Sequence, residues 1–135
     1  MERRKVRKPK VDLTLDSLSG RERADADLVG ADLSGRDLSW TDLQRADLRG
    51  ANLSRANLDS TNFERANLFR ANLFRANLMD ASLTDAYLRD ANLTNANLSG
   101  ANLIGANLFR ANLTDAILTE ANMTGATMPD GRKYF

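Results

Sequence analysis

Five aspartates recur at intervals of five residues, at Asp27, Asp32, Asp37, Asp42 and Asp47. Several carboxylates together are what calcium and magnesium require, provided that they converge on one ion. Further along, Arg65, Phe69, Arg70, Phe74, Arg75 and Met79 interleave cations with apolar side chains, and Arg45, Arg49 and Arg55 precede them. Guanidinium groups beside rings can hold phosphates while bases stack on the rings. Outward rings and methionine can equally mark a contact surface for a protein, and Ile104 with Phe109 forms a second pair of that kind. Cysteine and histidine are absent, which removes the thiolate nucleophile, the disulfide, the commonest metal ligand and the usual general base at neutral pH. No nucleophile recurs beside a base and no glycine loop suits a phosphate, so the expectation is a protein that is not an enzyme and uses no cofactor.

Which of these side chains meet depends on the element that carries them, and the chain has one period throughout. From Ala26 an apolar residue returns every fifth position at 21 sites, from Leu28 through Leu68, Leu73 and Leu78 to Met123 and Met128, with Phe63 replacing leucine once. Two residues before each centre stands alanine in 18 of the 21 cases, with Arg36, Thr41 and Thr61 the exceptions. A helix turns about 100° per residue, so a period of five would scatter leucine over every face. A straight strand fails as well, because an odd period sends successive leucines to opposite sides. The chain must therefore turn a corner every five residues, with leucine and alanine pointing in, the residue between them pointing out, and the last two building the bend. Gly30, Gly35, Gly50, Gly100, Gly105 and Gly125 all occupy the final corner position, as turn chemistry favours. Corners stacked at the strand spacing of about 4.8 Å make a solenoid.

Tandem A-(D/N)-L-x-x over Ala26 to Pro129 resembles the pentapeptide-repeat family. The resemblance implies an all-β fold, a right-handed quadrilateral β-helix with four pentapeptides per coil and about five coils; the period alone does not require four sides. Twenty residues per coil would align Arg49, Phe69, Arg89 and Phe109 in one column and Arg70, Asp90, Arg110 and Asp130 in another, as stacked cations and rings and as a ladder of ion pairs. It would also stack Asn52, Asn72, Asn92 and Asn112 as an amide ladder. In that arrangement the first four aspartates encircle a coil and diverge, so they are expected to serve corner hydrogen bonds and to hold no metal. The resemblance further implies one activity, since some members of the family act as DNA mimics that occupy type II topoisomerases such as gyrase and protect them from quinolones.

The ends follow different rules. Residues 1–10 hold six basic side chains against Glu2, leaving the remaining 125 residues at −4 within a total of +1. This stretch is expected to be a disordered basic tail, residues 11–25 a capping segment, 26–129 the β-helix, and 130–135 a C-terminal cap or dimer contact through Met128, Tyr134 and Phe135. The polar VDLTLDSLSG that follows the positive start does not suit a secretory leader, and no apolar run is long enough to span a membrane, so a cytoplasmic location is expected. The function expected is a non-catalytic scaffold that presents Arg65, Phe69, Arg70, Phe74, Arg75, Met79, Ile104 and Phe109 to a protein partner, with homodimerisation at the C-terminal end. DNA mimicry toward gyrase is the first alternative, and nucleic-acid binding through the basic tail and arginine belt the second. Burial of each central leucine contributes roughly 1.5 to 3 kcal/mol. Leu73→Asp should therefore abolish the folded state, and an unchanged melting curve by circular dichroism would refute the inward assignment.

Overall fold

The computed structural model describes Gly20 and residues 22–135. The basic tail 1–10 and most of the expected cap, residues 11–19 and 21, lie outside the described residues. Of that cap, Glu22 is described, and it already bridges Asp42 in the register of the rest.

Among the described residues there is no helix. Parallel bridges join residues twenty apart without a slip, from Glu22 with Asp42 to Asn107 with Thr127, and the bridging residue is the one before each centre. Four five-residue units therefore make one repeat of the β-helix. Each unit closes its own corner and ties to the next coil. At the corner, Ala76 donates its N–H to the carbonyl of Leu73 at 3.0 Å. Between coils, Leu73 donates to Asn92 at 2.7 Å, Arg75 to Thr94 at 3.0 Å, and Asn92 returns a bond to Ala71 at 3.0 Å.

That turn requires a positive φ at the second residue after the centre. The six corner glycines have φ between 65° and 71°, and Arg55, Arg70, Arg75, Asp80 and Asp90 take the same conformation at 55° to 58°. Non-glycine residues rarely enter this region, at a cost of about 1 to 2 kcal/mol. Here the turn and intercoil hydrogen bonds on either side offset it.

The inward positions form one continuous core. Centres from Leu28 to Leu108 are at most 4% exposed, and the alanines from Ala46 to Ala106 are as fully enclosed. Phe63 fills a leucine slot at 0% exposure beside Thr61, whose hydroxyl donates to the Leu38 carbonyl at 2.8 Å. The last coil is less covered: Leu113, Leu118, Met123 and Met128 are only partly buried. The segment after Pro129 folds back over part of it. Lys133 forms an antiparallel bridge with Thr127, and Tyr134 accepts from Gly125 and donates to Ala126, each at 2.8 Å. Phe135 extends past this contact and is 99% exposed.

Candidate functional site

The arginines owe their placement to the corner. Arg45, Arg55, Arg65, Arg70 and Arg75 all sit at the positive-φ position, which fixes the direction in which each side chain leaves the backbone. Phe69 and Phe74 stand one residue earlier and are half-buried beneath guanidinium groups. Arg70 lies over the Phe69 ring at 5.0 Å from its centroid, and Tyr87 from the next coil packs against the same ring at 6.2 Å. Phe74 carries two cations, Arg55 at 5.7 Å and Arg75 at 5.2 Å. Stacking of this kind contributes about 0.5 to 1 kcal/mol at an exposed site.

The eight residues expected to face a partner are not brought into one patch. With four units to the repeat, Phe69, Phe74 and Met79 lie on three consecutive sides of one coil, each with its own neighbours. Arg65 is exposed, and Met79 and Ile104 are each 38% exposed. Phe109 lies under Arg89, with 5.2 Å from guanidinium to ring, and a Cβ built on Gly131 would come within 3.4 Å of the ring. The C-terminal turn thus packs beside Phe109.

The two aligned columns form in part. Arg89 stacks on Phe109, whereas Arg49 turns instead to Asp47 at 2.7 Å. Arg110 pairs with Asp90 at 3.1 Å, Arg70 goes to its ring, and Asp130 lies 3.8 Å from Arg132. The asparagine ladder runs from Asn52 through Asn72 to Asn92, with rungs of 3.5 and 3.4 Å. A parallel ladder links Asp37, Asn57 and Asn77, each rung 3.3 Å.

The aspartate series does corner work. Asp27, Asp32, Asp37, Asp42 and Asp47 each accept the N–H two residues ahead, as Asn72 and Asn92 do. Hydroxyl and backbone bonds from Ser34 and Ser39 hold the carboxyls of Asp32 and Asp37 below the usual aspartate range. The Arg49 side chain does the same for Asp47. Among the described residues no three acidic side chains converge on a common point. A hollow of about 270 Å³ lined by Asp25, Asp27, Arg45 and Asp47 is occupied at its edge by the two-pronged pair of Arg45 with Asp25.

Three side chains outside the expected set stand out. Arg55 completes the Phe74 stack, Tyr87 completes the Phe69 cluster, and Trp40 is 72% exposed at a corner with φ of 59°. Tyr87 and Trp40 depart from the residues usual at their positions, which is a signal the sequence carries, whereas Arg55 is one of six corner arginines. What the sequence does not carry is which ring each would reach.

A family model described as pentapeptide repeats matches in 8 copies, over residues 37–73, 76–115 and 106–130. Among solved structures, a pentapeptide repeat protein from the cyanobacterium Cyanothece 51142 is 42% identical, covering 70% of this chain and 64% of that one, with a TM-score of 0.65. Another from Nostoc PCC 7120 is 40% identical over 64% of this chain and 69% of that one, with a TM-score of 0.60. This chain thus spans 64% of the length of the Cyanothece relative. QnrB1, described as a plasmid-mediated fluoroquinolone resistance protein, is 24% identical over 88% of this chain and 67% of that one, with a TM-score of 0.46, a likeness too slight to bear on function. No curated protein matches the sequence.

The depressed aspartates fix a pH dependence. Folded values below the unfolded ones stabilise the fold above the ordinary aspartate range, and that contribution is lost as pH falls through the depressed values. Denaturant midpoints should therefore drop on acidification in that acid window. Asp32→Asn with Asp37→Asn, which keeps the corner acceptors, should flatten the drop; an unaltered acid limb in the double variant would contradict the assignment.

Proposed function

The chain belongs to the pentapeptide-repeat family, and we propose that it acts as a non-catalytic scaffold that presents arginine and aromatic side chains to a protein partner. In this reading residues 26–129 form a right-handed, four-sided rod of about five coils. Residues 130–135 cover part of its last described coil. The observation that carries the reading is the stacking of Arg70 on Phe69 and of Arg55 and Arg75 on Phe74, on a backbone whose corners are fixed. A free arginine side chain loses up to about 2 kcal/mol of rotamer entropy when it is immobilised. Stacked arginines have given up part of that freedom before a partner arrives. Arginine and aromatic residues are also the types that dominate binding energy in protein interfaces.

DNA mimicry toward gyrase draws only on the −4 charge of residues 11–135, and many of those carboxylates are engaged in corner bonds. Nucleic-acid binding draws on the arginines, of which Arg45, Arg49 and Arg110 are paired with acids.

A second contact is favoured at the end of the rod. Among the described residues, the N–H groups of Leu113, Asp115, Leu118, Glu120 and Met123 donate to no backbone carbonyl. The terminal segment covers only the side around Thr127. Ile117, 49% exposed, replaces the asparagine found at Asn77 and Asn97 in its column. An extended peptide could pair with one open side, whereas the end of a second copy has the same corner spacing on all three. We infer end-to-end homodimerisation there.

Two measurements check these readings. A pull-down with a Phe69→Ser, Phe74→Ser variant should lose partners that the natural chain retains, and an identical partner list would sink the scaffold reading. Sedimentation should give twice the 14.9 kDa chain mass, reverting to the single mass in Ile117→Lys; a monomer at the highest attainable concentration would exclude the end contact.

A further inference from the structure

Two of the six corner arginines of this rod meet a carboxylate one coil away. Arg45 grips Asp25 with two bonds of 3.0 Å, and Arg110 reaches Asp90 at 3.1 Å. In both cases acid and base are twenty residues apart in one column. Arg55 and Arg75 are also twenty residues apart, so the place that holds an acid in those pairs holds a second guanidinium here.

The surroundings do not supply the missing charge. Among the described residues, neither Arg55 nor Arg75 has a carboxylate oxygen within 4.0 Å. Their column continues with Gly35 on one side and Asn95 on the other, and its nearest acid, Asp115, is two coils beyond Arg75. The column beside it contains Ser54, Phe74 and Thr94, and past the corner stand Asn57 and Asn77, bonded to each other, with Asp37 one coil before them already accepting from Asn57 and Ser39. Two like charges at adjacent rungs repel. The Phe74 ring engages both, at 5.7 and 5.2 Å.

We propose that Arg55, Phe74 and Arg75 form a recognition site for a carboxylate side chain on the protein partner, so that the partner contributes an acidic segment. The inference rests on the scaffold reading above. A carboxylate is the group this column geometry already accommodates at Asp25 and Asp90, and a guanidinium fork matches its two oxygens. The negative charge of the rod as a whole disfavours a polyanion such as nucleic acid, while a single carboxylate responds to the local field of the pair.

The test follows arginine side-chain N–H resonances of the folded full chain during titration with a short polyglutamate peptide, with inorganic phosphate as the competing probe. Arg55 and Arg75 should shift together and ahead of Arg45 and Arg49, whose forks are already paired. Arg55→Gln should weaken the peptide by on the order of tenfold, the scale of one charged hydrogen bond. Phe74→Leu, which keeps an apolar side chain but removes the ring, should weaken it as well. Equal shifts at all exposed arginines, no shift at either residue, or phosphate binding as tightly as the peptide would each overturn the proposal. Selective peptide binding alongside an unchanged pull-down list would leave the carboxylate site standing and remove the scaffold reading. A changed pull-down list without selective peptide binding would do the reverse.

Discussion

Each turn of this chain must bring its backbone back into register twenty residues later, and the rest of the molecule depends on that return. The bond from each central residue to the next coil, such as Leu53 to Asn72 at 2.7 Å, can form only if every intervening unit turns by the same amount. A unit of five achieves this with a hydrogen-bonded corner whose last residue has positive φ. The register therefore imposes an energetic cost at every corner and recovers it from bonds to the coils on both sides. It also explains why alanine recurs beside leucine: at that spacing the inner wall has room for one large and one small side chain per unit.

The same constraint shapes the outer surface. A corner residue cannot reorient its backbone without breaking the register, so whatever side chain occupies it is presented in a fixed direction. Glycine is the unstrained choice, yet arginine fills many of these corners. Phe74, one residue earlier, then lies within reach of its own Arg75 and of Arg55 in the coil before. The rod thus turns a linear repeat into columns in which cations, acids, amides and rings are neighbours at strand spacing. In some columns charges cancel, as at Arg45 with Asp25. At Arg55 and Arg75 they do not.

The candidate site was legible in its composition and not in its grouping. That Phe69, Phe74 and Met79 depart from a repeat that does not need them is visible in the sequence alone. That they lie on different sides follows from the corner every five residues; which neighbours each would reach does not. Pairing was equally underdetermined. A column of Arg70, Asp90, Arg110 and Asp130 permits a continuous ladder of ion pairs, but Arg70 lies over the Phe69 ring while Asp90 pairs with Arg110 and Arg89. Tyr87 itself stands at a bridging position most often filled by asparagine or aspartate, so its type signalled a departure without naming its partner.

The sequence by itself determined the inward half of this protein: which residues are core, where the corners fall, and that aspartate and asparagine both serve the corner bond. Those follow from local rules repeated every five residues, each of which can be satisfied within one unit and its register. Only the tertiary structure decided how the outward half is shared, since contacts between side chains twenty residues apart depend on which of two reachable neighbours each one takes. It also decided the state of the ends. The last described coil has the same sequence pattern as those before it, but the bonds that tie earlier coils to a neighbour on that side are missing there, and the pattern that buries Leu93 leaves Leu113 partly open.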